Sequence, residues 1–214
     1  MASGGPPPAR AGHYFSASPD VASAPRTVEV RLPDQSLTLL TDRGVFSLRG
    51  LDPGTAVLLG EIPPPPPEGT LLDLGCGHGV IAIAVARRAP AARVIAVDVN
   101  RRALELTRAN SALNGTGNVE ACAPEEVDAS LRFDAIYSNP PIRAGRAALM
   151  SMLTVWLGRL APGGVAHLVV QRHLGADSLA ALLRSDGHAV RRAASKRGYR
   201  ILDVRPGASA SHDP

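Results

Sequence analysis

Leu71-Leu72-Asp73-Leu74-Gly75-Cys76-Gly77-His78-Gly79-Val80-Ile81-Ala82-Ile83-Ala84-Val85 is the stretch that decides the fold. A short apolar run, Leu71–Leu74, reads as a strand, and Val80–Arg88 reads as a helix. Between them three glycines let the backbone turn tightly and come close to a ligand. A nicotinamide-type loop would space its glycines G-x-G-x-x-G and set a pyrophosphate on the helix N-terminus. Here the spacing is G-x-G-x-G, and Asp73 stands two residues before the first glycine. A carboxylate there repels a pyrophosphate and suits a ligand that carries a cationic amine. Cys76 and His78 read as spacers, not metal ligands, and no metal is expected.

Downstream, strand-like and helix-like runs alternate. The strand-like runs are Leu71–Leu74, Val94–Val97, Val119–Cys122, Ala135–Ser138 and Val165–Val170. The helix-like runs are Val80–Arg88, Arg101–Asn114, Arg146–Leu160 and Ser178–Ser185. Short apolar strands joined by amphipathic helices predict a parallel sheet covered on both faces. Ala189–Ala193 and Tyr199–Val204 are separated only by Ser195-Lys196-Arg197-Gly198, an antiparallel hairpin at the sheet edge.

Upstream, Thr27–Leu32 and Leu37–Thr41 flank the turn residues Pro33-Asp34-Gln35-Ser36 and predict a β-hairpin. Asp42–Ser47 reads as a loop. Asp52 caps a short helix that has Pro53 at its first position and runs to about Gly60. Pro63–Pro67 forms a stiff linker. The expected organisation is a low-complexity disordered tail at 1–12, an N-terminal extension at 13–67, the main α/β domain at 68–206 and a tail at 207–214.

Composition sets bounds. The chain has 214 residues, 45% of them apolar, and two cysteines. That is too few cysteines for a disulfide scaffold or a four-cysteine zinc site. No run of 18 apolar residues exists, so no membrane helix is expected. The N-terminus lacks an apolar h-region, and the expected location is cytoplasmic. Residues 1–139 hold 12 Arg and 15 Asp plus Glu, net −3, whereas 140–214 hold 10 Arg and one Lys against four Asp, net +7. The basic second half points to an anionic partner. Arg143, Arg146, Arg172, Lys196, Arg197 and Arg200 are the candidates for phosphate contacts.

Two further motifs carry chemistry. Asp98 closes the strand Val94–Val97, where α/β nucleotide sites grip ribose hydroxyls. After the third strand, Glu125 in Ala123-Pro124-Glu125-Glu126 is placed to receive an exocyclic adenine amine. Asn139-Pro140-Pro141-Ile142 follows the strand Ala135–Ser138. An Asn oxygen beside a Pro carbonyl gives two fixed acceptors, able to take both hydrogens of a planar –NH₂ and turn its lone pair out of conjugation. The prolines lock that geometry. On these grounds Asn139→Asp is expected to be milder than Asn139→Ala, because a carboxylate still accepts from an amine.

The glycine loop, with Asp73, Gly75, Gly77 and Gly79, resembles the S-adenosylmethionine (SAM) loop of class I methyltransferases, whose acid helps hold the methionine end. His13–Ser16, Thr41–Ser47, Asp52-Pro53-Gly54-Thr55, Ser138–Arg146 and Gly198-Tyr199-Arg200 resemble segments of the "methyltransferase small" family. That family is similar to the small-subunit rRNA guanine-N2 methyltransferases (RsmC-like), with single-domain archaeal and actinobacterial members nearest in plan. The resemblance implies a seven-stranded Rossmann-like fold with a C-terminal antiparallel hairpin, SAM as cofactor, and methylation of an exocyclic amine by Asn139, Pro140 and Pro141. Its implied partner is RNA, with rRNA or a ribosomal subunit foremost and the oligomeric state left open between monomer and homodimer. Where those enzymes carry an aromatic after N-P-P to stack on a base, this chain has Ile142. Phe46, Tyr14 or the Arg143 guanidinium is expected to supply the missing plane. The alternatives are a protein glutamine amide or small-molecule amine as substrate, or a non-catalytic RNA-binding assembly protein on the same fold.

Overall fold

The apolar residues of Thr70–Leu74 (β3) are almost wholly buried, as expected of a central parallel strand with helices on both faces. The computed structural model describes residues 21–48 and 50–207. The tails at 1–12 and beyond 207, and Tyr14, lie outside the described residues.

Arg26–Arg31 (β1) and Ser36–Thr41 (β2) form the expected hairpin. Pro53–Glu61 (α1) follows, capped by the Asp52 carboxylate, which accepts from Thr55 N at 3.0 Å. After β3 come Val80–Arg88 (α2), Arg93–Val97 (β4), Arg101–Leu113 (α3), Val119–Cys122 (β5), Phe133–Ser138 (β6), Arg146–Leu157 (α4), Leu160–Gln171 (β7), Ala176–Ser185 (α5), Ala189–Lys196 (β8) and Tyr199–Arg205 (β9). The sheet order is β5-β4-β3-β6-β7-β9-β8. The first five strands pair in parallel, and β9 is antiparallel to both β7 and β8. This is the parallel sheet with a terminal antiparallel hairpin that the sequence pattern predicts, and the seven-stranded, Rossmann-like plan that the family resemblance implies.

One face of the sheet buries Leu71, Ala96, Tyr137 and Ile201 under α1, α2 and α3. The other buries Leu72, Ile95, Ile136 and Leu168 under α4 and α5. The hairpin and α1 join the first of these clusters through Leu37, Leu39, Leu58 and Leu59. The amides of Asn110 in α3 and of Asn114, which caps its C-terminus, fasten the free edge of β2. Asn110 accepts from Leu40 N at 2.6 Å and donates to Leu40 O at 2.8 Å. Asn114 does the same with Thr38, at 3.2 and 2.8 Å. These side chains satisfy the edge groups that a neighbouring strand would otherwise pair.

A polar row crosses the interior of the first face. The Tyr137 ring stacks on His167 with centroids 5.4 Å apart, and His167 Nδ1 lies 2.8 Å from Asp203 Oδ1. Arg191 donates to the other oxygen of Asp203. These residues sit in register on β6, β7, β9 and β8.

Candidate active site

Strand order reverses direction at β3, with β4 and β5 on one side and β6 and β7 on the other. In open α/β sheets a crevice opens at that switch point, beyond the carboxyl ends of the strands. A cavity of about 460 Å³ lies there, walled by Gly75, Gly77, Asp98, Asn139, Pro140 and Tyr199 among others.

The glycine loop is sewn to β4. Gly75 N and Cys76 N donate to Val97 O at 2.8 and 3.0 Å, and Gly77 N donates to Asp98 Oδ2 at 2.9 Å. Gly75 has φ +77°, and a Cβ added to it would project into open space within the cavity. Gly79 serves a different purpose. Its φ is +87°, and a Cβ there would stand 2.8 Å from Thr107 Cγ2, so its glycine lets α2 start tight against α3.

Asp98 Oδ1 accepts from Asn100 N at 2.9 Å. Each carboxylate oxygen therefore holds one backbone N–H and keeps acceptor capacity. Burial raises the pKa of Asp98 above the usual carboxylate range, against the lowering effect of the Asn100 and Gly77 N–H bonds. An acid on the wall, an open glycine cradle and the adjoining Val99 and Pro124 make a site that fits an adenosyl ligand with a ribose diol.

At the end of β6, Asn139 Nδ2 donates to Asp52 Oδ2 at 2.7 Å and to Thr55 Oγ1 at 3.1 Å. A carboxylate only accepts, so the amide nitrogen must face Asp52, and Asn139 Oδ1 is the end left to receive a donor. Pro140 O accepts from Ile142 N at 2.8 Å and keeps its second lone pair. The Tyr199 ring approaches Gly54 so closely that a Cβ there would meet Cε1 at 2.8 Å.

The family model described as "Methyltransferase small domain" matches residues 36–203. The chain belongs to the methyltransferase small domain family. It is a SAM-dependent methyltransferase. Among its relatives, the uncharacterized protein YbxB of Bacillus subtilis is 33% identical, over 90% of this chain and 98% of that one. Ribosomal RNA small subunit methyltransferase C of Pseudomonas aeruginosa is 37% identical, over 74% of this chain and 52% of its own length. The solved T. thermophilus 16S rRNA N2 methyltransferase (RsmC), in complex with AdoMet and guanosine, superposes with a TM-score of 0.71 and 27% identity. That match covers 88% of this chain and 52% of the other. The chain thus spans about half the length of the rRNA methyltransferases it matches.

Within this family fold, Gly75, Gly77, Asp98, Asn139, Pro140, Pro141, Ile142 and Phe46 of the expected site residues line the cavity. Phe46 borders the glycine loop, its Cβ 3.9 Å from where a Gly77 Cβ would be. Ile142 is packed against the apolar cluster under α4 and α5. Asp73 and Gly79 stand off the cavity wall. Asp73 lies in the strand, 1% exposed, and its Oδ2 accepts from Ala82 N at 2.9 Å, bracing α2 from below. Glu125 is exposed and off the wall, because the 3₁₀ turn Pro124–Glu126 puts Pro124 there instead. Lys196 is paired with Glu61 and Arg200 with Asp177. Arg146, Arg172 and Arg197 are exposed. The side chain of Arg143 lies outside what is described. Sequence reasoning missed Thr55, Gln171 and Tyr199 as site residues and took Asp52 for a helix cap alone. Its relevant signals were that cap and the resemblance of Asp52-Pro53-Gly54-Thr55 and Gly198-Tyr199-Arg200 to family segments.

Burial lifts the Asp73 pKa to about 7, helped by the charge of Asp98 and opposed by the Ala82 N–H bond. The folded pKa exceeds the unfolded one, so this group's stabilising protonation is complete in acid and is lost as pH rises through about 7. The ligand-free protein is therefore expected to lose stability between about pH 4 and 7, and Asp73→Asn to remove about 2–4 kcal/mol of that fall while keeping an acceptor for Ala82 N. Urea melts across this pH range check it. Parallel pH profiles for the two proteins would rule the reading out.

Proposed function

We propose that the chain methylates an exocyclic amine, guanine N2 of small-subunit rRNA, with Asn139 and Pro140 holding the amine. The observation that carries this reading is the Asn139 amide. Asp52 and Thr55 take both of its N–H groups, so Oδ1 is left beside the Pro140 carbonyl as a second fixed acceptor. Bound SAM supplies an electrophilic methyl group whose carbon–sulfur electron pair returns to sulfur as the amine nitrogen takes the carbon. Asp98 would hold the ribose, and Gly75 and Gly77 would leave room for the backbone to lie against the ligand. Asn139 and Pro140 would accept the two amine hydrogens, which aims the lone pair and stabilises the positive charge that grows on nitrogen. That nitrogen then releases one proton to water. Ile142 is partly buried at the cavity wall, and the rings that line the cavity with it, Phe46 and Tyr199, would supply the aromatic plane.

The similarity to enzymes named for rRNA supports RNA as the substrate, and so does the chain's charge. β6, β7 and the β8–β9 turn all end at the cavity side of the sheet, and the exposed Arg146, Arg172 and Arg197 that follow them would meet the phosphates there. The division into a methyltransferase domain at 68–206 and an N-terminal extension at 13–67 belongs to this proposal, as does a cytoplasmic setting. Replacing Arg146 and Arg172 by alanine is expected to lower the slope of log affinity against log salt by about 1–2 units for 16S rRNA. A filter-binding titration in which that slope is unchanged would move the RNA path elsewhere.

The test of function incubates the protein with tritiated SAM and, separately, small ribosomal subunits, bare rRNA, tRNA and a protein extract. Label in rRNA that co-migrates with N2-methylguanosine after nuclease digestion supports the proposal. Label confined to protein, to tRNA or to no fraction overturns it.

A further inference from the structure

We infer that Asp52 is a positioning residue for amine methylation, locking Asn139 with Oδ1 toward the cavity and setting a negative charge behind its amide. The inference rests on the proposed role of Asn139 and adds the residue through which that role is enforced. One oxygen, Asp52 Oδ2, accepts both from Thr55 N, 3.0 Å away, and from Asn139 Nδ2, 2.7 Å away. Thr55 Oγ1 takes the second amide hydrogen at 3.1 Å. A free Asn side chain turns about two torsions; this one has no turn left that keeps its donors paired. Its acceptor is in place before the substrate arrives, which removes reorganisation from the reaction.

The charge matters as well as the geometry. An N–H bonded to a carboxylate polarises its amide, so the carbonyl at the far end becomes a stronger acceptor. That strengthening is worth most as the amine nitrogen becomes cationic. Asp52 is itself at a favourable end of α1, where the helix dipole stabilises an anion. The Tyr199 ring covers this corner, and its phenol is pushed to higher pKa by burial and by the Asp52 charge. Gly54 permits the cover: a Cβ there would crowd both Tyr199 Cε1, at 2.8 Å, and Asp52 Oδ2, at 3.0 Å.

The capping and positioning roles can be separated. Asp52→Ser keeps a hydroxyl that caps α1 but is one atom too short for Asn139. We expect single-turnover methyl transfer to 16S rRNA to fall on the order of 10–10²-fold, with SAM affinity by calorimetry within about twofold and melting little changed. Asp52→Asn, which keeps the oxygen and loses the charge, should recover part of the rate. In an Asn139→Ala background Asp52→Ser should change the rate hardly at all. Should Asp52→Ser fail to fold, Thr55→Val removes one acceptor from Asn139 and leaves the cap, and a fall of about 3–10-fold is expected. A measurement that needs no substrate accompanies these: the Asn139 side-chain amide protons, assigned by their absence in Asn139→Ala, should exchange slowly with water and become fast in Asp52→Ser. Fast exchange in the native protein, or Asp52→Ser as active as native while Asn139→Ala is inactive, would overturn the inference and leave the Asn139 reading standing. An equal rate loss from Asp52→Ser with and without Asn139 would also overturn it. Full activity in Asn139→Ala would instead overturn the reading beneath it.

Discussion

Asn139→Ala is expected to lower single-turnover methyl transfer on the order of 10²–10³-fold, by analogy with deleting one preorganised oxyanion-hole donor. SAM affinity should stay within about twofold, since on the proposed reading the loop after β6 would meet the reacting end of the ligand while the acid that would grip the ribose, Asp98, closes β4. Asn139→Asp, the milder change on sequence grounds, becomes a severe one in the structure. Its second oxygen would replace the amide nitrogen that sits 2.7 Å from Asp52 Oδ2, and two carboxylates at that distance cannot both be ionised. The replaced side chain must either take up a proton, which leaves a weaker carbonyl acceptor than the amide, or swing away from Asp52, which misplaces the acceptor. Rapid-quench transfer rates set beside melting temperatures separate chemistry from folding. A folded Asn139→Ala protein that transfers methyl at the native rate would place catalysis on another loop.

Asp98→Ala is expected to weaken SAM binding by about 1.5–3 kcal/mol, the range for hydrogen bonds to a charged group. The loss has two sources. The ribose loses its acceptors, and Gly77 N and Asn100 N lose theirs, which slackens the glycine loop and the start of α3. Asp98→Asn keeps one acceptor and should fall between native and alanine. Because burial raises the Asp98 pKa, native affinity should begin to drop with acidification at a higher pH than an ordinary carboxylate would give. The Asp98→Asn protein should lack that part of the dependence. Calorimetry from pH 5 to 8 checks both points, and an unchanged affinity in folded Asp98→Ala would remove this residue from the site.

What the sequence made legible was local. Gly75, Gly77, Asp98 and Asn139 each sit directly after an apolar strand, so a parallel reading of those strands brings all four to one end of the sheet. The readings that moved depended on matters that no window of sequence contains. Asp73 is one residue inside β3, and the two-residue alternation of a strand turns it under α2, away from the cavity. Glu125 follows Pro124 into a 3₁₀ turn that points it to solvent. Lys196 finds Glu61 across 135 residues, and Asn139 finds Asp52 across 87. The cap motif Asp52-Pro53-Gly54-Thr55 looks the same whether or not a distant amide shares its carboxylate, so the second role left no trace in composition or spacing.

The place of β9 in the sheet has a consequence for the order in which the molecule can be completed. Among the described residues β8 has no neighbouring strand but β9, and β9 is synthesised after it and enters between β7 and β8. On a growing chain β8 therefore emerges with both edges bare and waits for the strand that follows. When β9 arrives, Asp203 must meet His167 on one side and Arg191 on the other. A slip by one residue would turn that carboxylate to the opposite face, among Leu168 and Ile136. The polar row thus works as a key that admits the last strand in one register only. Tyr199 begins that strand, so the aromatic wall of the cavity is set in place late, after the glycine loop and Asn139 have already been made.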